Sequence, residues 1–166
     1  MIGVYRREDL PTGNRDVLLA LWRIADPGNV GTILRTADAF GAGVALSDGC
    51  ADPTGPRAVR ASAGAIFRVP ISGWSDLPDH RLGLVARDGE PLADAVLEPP
   101  LALLLGSERE GLPAEALAAA RSVSIHMPGE AESLNVAAAG AIALYELHRR
   151  ASMRTSSGDP EPEGGG

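Results

Sequence analysis

Polar side chains of a few types recur in three glycine-containing stretches of this 166-residue chain. The candidates for chemistry are an arginine, a glutamate, a serine and two asparagines: Asn29, Arg35, Glu108, Ser133 and Asn135. A guanidinium held in one place can orient a reactant and stabilise an oxygen that becomes negative. Arginine is effectively always protonated, so this role suits Arg35 better than that of a general base.

Each of these stretches comes next to a short apolar run. The runs predict buried strands at 17–22, 101–105 and 122–126, and the loops that follow them are Asp26–Gly31, Gly106–Pro113 and Met127–Asn135. In an open parallel sheet, ligands bind in loops beyond the carboxyl ends of the strands. We therefore expect the candidate side chains at one edge of such a sheet.

The remaining patterns predict further strands at 43–47, 66–71 and 82–86, and helices at 30–40, 56–63, 113–120 and 134–150. Asn29 is a predicted N-cap of the first helix. Strands that are apolar throughout and alternate with helices are typical of an α/β fold with a mainly parallel sheet flanked by helices.

The three stretches contain motifs that resemble, in their order along the chain, those of the SpoU/TrmH methyltransferases. The resemblance runs from about residue 17 to residue 150. Residues 29–37 (NVGTILRTA) match N-x-G-x-x-x-R-x-A, and residues 106–112 (GSEREGL) match G-x-E-x-x-G-L. Residues 125–127 (IHM) and 133–137 (SLNVA) match I-x-M followed by S-L-N-V-A. The resemblance implies a SPOUT-class fold with a C-terminal trefoil knot, and a homodimer with the active site at the subunit interface.

The activity that the resemblance implies is S-adenosylmethionine-dependent methylation of a ribose 2′-hydroxyl in structured RNA. A weaker expectation is that the RNA is ribosomal rather than transfer RNA. A rival interpretation is a non-catalytic RNA-binding or accessory module that retains the fold. A nucleotide-binding oxidoreductase is disfavoured because no G-x-G-x-x-G follows the first strand.

The resemblance also assigns roles to residues. Arg35 would activate the 2′-hydroxyl, Glu108 would hold Asn29 and Arg35, and two further residues, Ser133 and Asn135, would lie in the active site. Cofactor contacts would come from Val85, Ala86, Gly106, Ile125 and Leu134. The residues alone also allow ordinary structural roles. Arg35 could be a surface arginine, Asn29 and Ser133 helix caps, and Glu108 a solvated loop residue. The apolar cofactor candidates could equally be core residues.

Charge gives a mixed indication of the partner. The net charge is −7 and the isoelectric point near 4.9, whereas nucleic-acid binders are usually basic. All 15 basic residues are arginines, and the stretch from Pro53 to Ser75 carries Arg57, Arg60 and Arg68 without an acid. We expect these three to contact RNA. Arg109 and Glu110 stand at variable motif positions and are predicted to be solvated.

Other classes of site are disfavoured. Cys50 is the only cysteine, so no disulfide can form within the chain, and the three widely separated histidines predict no metal site. The absence of a long apolar run or a secretion signal predicts a cytoplasmic protein.

The domain organisation is predicted as follows. Residues 1–151 form the methyltransferase domain, in which 1–16 are the end or remnant of a preceding RNA-binding module and Gly3–Arg7 its last strand. Residues 152–166 form a disordered acidic tail.

Overall fold

The computed structural model describes residues 6–13 and 15–156, whose strands form a single sheet. The strands are β1 Val17–Leu21, β2 Gly43–Leu46, β3 Ile71–Gly73, β4 Arg81–Val85, β5 Glu90–Pro91, β6 Leu101–Leu105 and β7 Arg121–Ser124. Their order is β3-β2-β1-β6-β4-β7-β5, and every neighbouring pair is parallel. The carboxyl ends of β1, β6, β4 and β7 therefore meet at one edge.

The helices cover the sheet. They are α1 Pro27–Ala39, α2 Pro56–Ser62, α3 Ala114–Ala118 and α4 Val136–Ser156, with 3-10 turns at Arg7–Asp9, Ala65–Phe67 and Trp74–Asp76. Alternate residues of β1 enter two cores, Leu19 and Leu21 on the larger side and Leu18 and Ala20 on the other. Burial on both faces explains why β1 is apolar throughout. The predicted α/β fold with a parallel sheet is confirmed, while the trefoil knot stays a prediction.

The strand predicted at 66–71 is wrong in its position. Gly64, with φ of +86°, leads into the 3-10 turn Ala65–Phe67, and the carbonyl of Ala65 accepts hydrogen bonds from the N–H groups of Arg68 and Val69 at 2.9 and 3.0 Å. The backbone is thus paired locally, which leaves no ladder for a strand there. Strand β3 begins only at Ile71, where pairing with β2 becomes available.

Helix α4 is longer than predicted and includes 152–156 of the expected disordered tail. Near its end, Arg150 donates to the carbonyls of Ala95 and Leu92 at 2.8 and 2.7 Å, and Arg154 pairs with Glu98 at 2.7 Å. These contacts fix the helix against the segment before β6. The rest of the tail and most of the strand predicted at residues 3–7 lie outside the described residues, and Arg7 begins a 3-10 turn.

Candidate active site

Asn29 lies inside α1 and is not its N-cap, contrary to the prediction. The cap is Asp26, whose Oδ1 accepts a hydrogen bond from the Asn29 N–H at 2.9 Å, and Pro27 occupies the first helical position. Because the Asp26 carboxylate satisfies the start of the helix, the Asn29 side chain is released from capping. Its amide is therefore available to groups from other loops.

A chain of hydrogen bonds joins the three motifs. The Asn29 Nδ2 donates to Glu108 Oε1 at 2.7 Å, and the Asn135 Nδ2 donates to Asn29 Oδ1 at 3.1 Å. These partners are 79 and 106 positions apart in the sequence. A carboxylate can only accept, so the Asn29 amide turns its Nδ2 toward Glu108 and its Oδ1 toward the Nδ2 of Asn135. The Glu108–Asn29–Asn135 chain is the central geometric feature of this edge.

Asn135 also caps α4. Its Oδ1 accepts from the N–H groups of Ala137 and Ala138 at 2.9 and 3.2 Å, so both ends of the amide are used. The prediction that Ser133 resembles a cap is thus corrected, because α4 begins at Val136 and Asn135 is its capping residue. The Asn135 side chain therefore both caps α4 and takes part in the hydrogen-bonded Glu108–Asn29–Asn135 chain.

A pocket of about 540 Å³ opens beyond the carboxyl ends of β4, β6 and β7. Its walls include all five residues expected to contact a cofactor, namely Val85, Ala86, Gly106, Ile125 and Leu134. Three of the expected catalytic residues, Glu108, Ser133 and Asn135, also line it. This volume is typical of pockets for small molecules, and the combination of apolar walls with a few polar groups is usual for them.

The backbone of its own loop requires a glycine at position 106, which also lines the pocket. A Cβ at this position would lie 2.2 Å from the carbonyl carbon of Gly111, far inside van der Waals contact. The loop folds back on itself through the Ser107 N–H to the Gly111 oxygen at 3.2 Å and the reverse bond at 2.9 Å. This tight turn sets the direction in which Glu108 leaves β6.

The sequence interpretation missed several lining residues. Met127 lies in the pocket wall, and its position as the last residue of the I-x-M motif was the available indication. Arg109 and Glu110, which were predicted to be solvated, are exposed and line the pocket as well. The pocket therefore carries both signs of charge near its mouth.

Arg35 lies on the exposed side of α1, outside the pocket lining. The buried side of the helix carries Val30, Ile33 and Leu34. With the part of the chain that the structure describes, the Arg35 guanidinium forms no hydrogen bond or ion pair. One copy of the chain thus brings Asn29, Glu108 and Asn135 together but leaves Arg35 apart from them.

The three arginines expected to contact RNA differ in their surroundings. Arg57 lies 3.5 Å from Asp26, and Arg60 is exposed on α2. Arg68 forms a two-pronged pair with Asp38, with Nε and Nη2 at 3.0 and 2.6 Å from Oδ2, and these hydrogen bonds raise the pKa of Arg68. Asp38 therefore offsets the charge of Arg68, whereas Arg60 keeps its charge unpaired among the described residues.

Two kinds of structural feature are absent from residues 6–13 and 15–156. No group of three or more histidine, cysteine, aspartate or glutamate side chains there is arranged to hold a metal ion. No helix in those ranges combines the length and apolar character needed to cross a bilayer.

Known proteins resemble most of this chain in sequence and in structure. The 23S rRNA (guanosine(2553)-2′-O)-methyltransferase RlmP of Bacillus subtilis is 35% identical over 153 residues, which cover 84% of this chain and 60% of that protein. The AdoMet-bound rRNA methyltransferase from Sinorhizobium meliloti has a TM-score of 0.76 at 34% identity, covering 86% of this chain and 59% of that one. A structure concerning 2-OH methylation of C/U34 on tRNA has a TM-score of 0.77 at 31% identity, covering 83% and 97%.

The first curated relatives are longer, and the chain spans 53–60% of their length. The SpoU rRNA Methylase family matches residues 16–145, a range that contains every strand of the sheet and all three motifs. The match covers well over half of the sequence. The chain therefore belongs to the SpoU rRNA Methylase family.

Proposed function

We propose that this protein methylates a ribose 2′-hydroxyl of structured RNA with S-adenosylmethionine as the methyl donor. The observation that carries the proposal is the Glu108–Asn29–Asn135 chain beside the pocket. Further support comes from the family match and from relatives whose names specify 2′-O-methylation of RNA and bound AdoMet.

The pocket residues fit this cofactor. Val85, Ala86, Ile125 and Leu134 offer apolar contacts of the kind that an adenine ring needs, within a volume of about 540 Å³. Glu108 and Ser133 lie in the same wall, where a positively charged sulfonium or an amino group would meet a carboxylate and a hydroxyl. When bound, the cofactor supplies an electrophilic methyl group. No metal is needed for this displacement, because positive charge disappears as the methyl group is transferred.

The hydrogen-bonded chain is assigned to positioning. Asn29 and Asn135 each use one side-chain N–H in these hydrogen bonds, so the second N–H of each amide can donate to a substrate oxygen. Glu108 holds Asn29 in a single orientation, so that donor would be in place before RNA arrives. We assign Ser133 to contact with the ribose or cofactor from the start of α4.

Arg35 is assigned to stabilising the negative charge that develops on the 2′-oxygen while the methyl group leaves the sulfonium and the hydroxyl proton passes to water, in the pocket of a second copy of the chain. This assignment reconciles its expected role with its exposed position outside the pocket of its own chain. We assign the contact with the second copy to α4, where Ile142, Tyr145 and Met153 are 40%, 59% and 55% exposed at helical spacing. Apolar side chains grouped on one exposed helix face are typical of an interface. We therefore propose a homodimer.

The RNA is assigned to the surface beside α2, with Arg60 as the strongest candidate for a phosphate contact, because Arg57 and Arg68 are paired with Asp26 and Asp38. Ribosomal RNA is favoured over transfer RNA because the RlmP relative acts on 23S rRNA, although a relative of the same fold concerns tRNA. The proposed location is the cytoplasm, where both RNAs are found.

The test is transfer of a radiolabelled methyl group from S-adenosylmethionine to unmodified ribosomal RNA and, in parallel, to unmodified transfer RNA. We expect label in ribosomal RNA. Label in transfer RNA alone would overturn the choice of substrate but not the reaction. Cofactor binding by calorimetry without label in either RNA would favour the non-catalytic accessory module, and absence of both would contradict the proposal.

A further inference from the structure

Arg23 adopts a backbone conformation that side-chain-bearing residues rarely take. It lies two residues after the end of β1, at a φ of +52°. The left-handed region costs any residue with a Cβ and is adopted freely by glycine. A strained residue kept at the edge where ligands bind is a reason to ask what its side chain does.

The strain occurs in a fixed loop. The Arg23 N–H donates to Oγ of Ser47 at 2.9 Å, and Ser47 is buried, with 7% of its surface exposed. On one side, the Trp22 N–H donates to the Leu105 carbonyl at 2.8 Å; on the other, the Ala51 N–H donates to the Ile24 carbonyl at 2.8 Å. Every one of these contacts uses the backbone at or beside Arg23. A glycine at this position would make them all without strain.

The side chain of Arg23 is exposed and lies across Gly49. Its Cγ and Nε atoms are each 3.4 Å from the point where a Cβ on Gly49 would stand. Its guanidinium makes no hydrogen bond or ion pair with the described residues, unlike those of Arg57 and Arg68, which face Asp26 and Asp38. The backbone of Arg23 is therefore held in place, while the guanidinium beside Gly49 is left unneutralised by these residues.

The position of Arg23 relates it to the proposed reaction. It precedes the cap residue Asp26 by three residues and Asn29 by six, on the same connection between β1 and α1. Asp26 also lies beside Arg57 of α2. Arg23 thus lies on the connection that leads from the carboxyl edge of β1 to Asn29, one residue after Trp22, whose N–H donates to the carbonyl of the pocket residue Leu105.

We propose that Arg23 is a positioning residue that binds a backbone phosphate of the RNA substrate near the target ribose. The inference rests on the proposed function. A guanidinium is suited to a phosphate because it presents several donors in a fixed plane. The loop fixes the base of the side chain, so less freedom is lost when the contact forms.

The test compares Arg23→Gly with Ala63→Gly. Ala63, exposed at the end of α2 with φ of +49°, is a second strained position without a charge. Relief of strain predicts a melting temperature at or above that of the wild type for both variants. Only Arg23→Gly should weaken binding to in vitro transcribed 23S ribosomal RNA, by about five- to tenfold, and reduce the slope of log K against log salt by about 0.7–0.9.

The kinetics of methyl transfer distinguish a positioning role of Arg23 from a role in the chemical step. For Arg23→Gly we expect KM for RNA to rise while kcat is retained, and Arg23→Lys should recover most of the affinity because it keeps the charge. RNA binding by Arg23→Gly equal to that of the wild type would overturn the inference and leave the proposed function intact. A lower melting temperature of Arg23→Gly would assign Arg23 a structural role instead. Failure of the wild type itself to bind RNA would overturn both.

Discussion

Asn29 donates its side-chain amide to the carboxylate of Glu108 across 2.7 Å, and this bond joins the first helix to the loop after β6. Neither residue is a neighbour of the other in the sequence, and strands β1 and β6 bring them together by pairing in register from Val17 with Leu101 to Leu21 with Leu105. The polarity of the bond is fixed because a carboxylate only accepts.

Asn29→Asp should disrupt the chain, because two carboxylates would then face each other. We expect a loss of stability of about 1–3 kcal/mol and a large fall in kcat. Adding Glu108→Gln should restore at least half of the lost stability, since the glutamine amide can donate to the new carboxylate at position 29 and reverse the polarity of the bond. Chemical denaturation of the two single variants and the double variant measures the coupling. Strictly additive effects would contradict the hydrogen bond as described, and Glu110→Gln serves as the neutral control in the same loop.

Arg35 and Asn135 should complement each other across two copies of the chain. Arg35→Ala and Asn135→Ala are each expected to be inactive, yet mixed and reassembled they should regain activity. Random pairing makes half of the dimers mixed, and each mixed dimer holds one intact site of two, so about a quarter of wild-type activity is expected. If both groups acted within one copy, the mixture would stay as inactive as the separate variants, and Arg35 would need another explanation.

The sequence predicted those parts of the fold that local patterns determine. The apolar runs of β1 and β6 and the stripe of α1 needed no long-range information, and the three motifs contain Asn29, Glu108 and Asn135, which the structure joins by hydrogen bonds. Asn29 was misassigned as a cap although Asp26 and Pro27 together formed the stronger signal for a helix start. Strand β5 has two residues, Glu90 and Pro91, and exists only because β7 lies beside it.

The arrangement of the site depended on topology that no local pattern contains. The hydrogen bond from Asn135 to Asn29 joins residues 106 positions apart. It forms because α1 and α4 both start at the carboxyl edge of the sheet, so that their first turns lie side by side. The position of Arg35 outside the pocket lining was equally beyond the motif, which specifies residue types and spacing but not where a side chain lies. The backbone strain at Arg23 left no recognisable sign in the sequence.

Gly106→Ala should distort the pocket by displacing the loop after β6. The added Cβ would lie 2.2 Å from backbone of Gly111, so the loop must open and the Glu108 carboxylate must move. We expect a loss of stability of about 1–3 kcal/mol and a loss of S-adenosylmethionine affinity measured by calorimetry. Gly129→Ala is the matched control in the third loop, because its Cβ would meet nothing within 4 Å. Equal behaviour of the two variants would refute the steric account.

Tyr145→Glu should weaken the proposed dimer by adding a charge to the exposed apolar face of α4. Tyr145 is 59% exposed in the single chain, so the folded monomer should keep its melting behaviour. Sedimentation at several concentrations is expected to give a higher dissociation constant than for the wild type. Ala151→Glu, an exposed position on another side of α4, adds the same charge and should leave the dissociation constant unchanged. A dimer equally stable in both variants would locate the interface elsewhere.

The most direct test of the central claim is a comparison of wild type and Arg35→Ala with radiolabelled S-adenosylmethionine and unmodified ribosomal RNA. After digestion to nucleosides, we predict label in a 2′-O-methylated ribose for the wild type. For Arg35→Ala we predict no label together with unchanged cofactor affinity. Label on a base, or full activity of Arg35→Ala, would contradict the account of an RNA 2′-O-methyltransferase in which this arginine acts on the reacting oxygen.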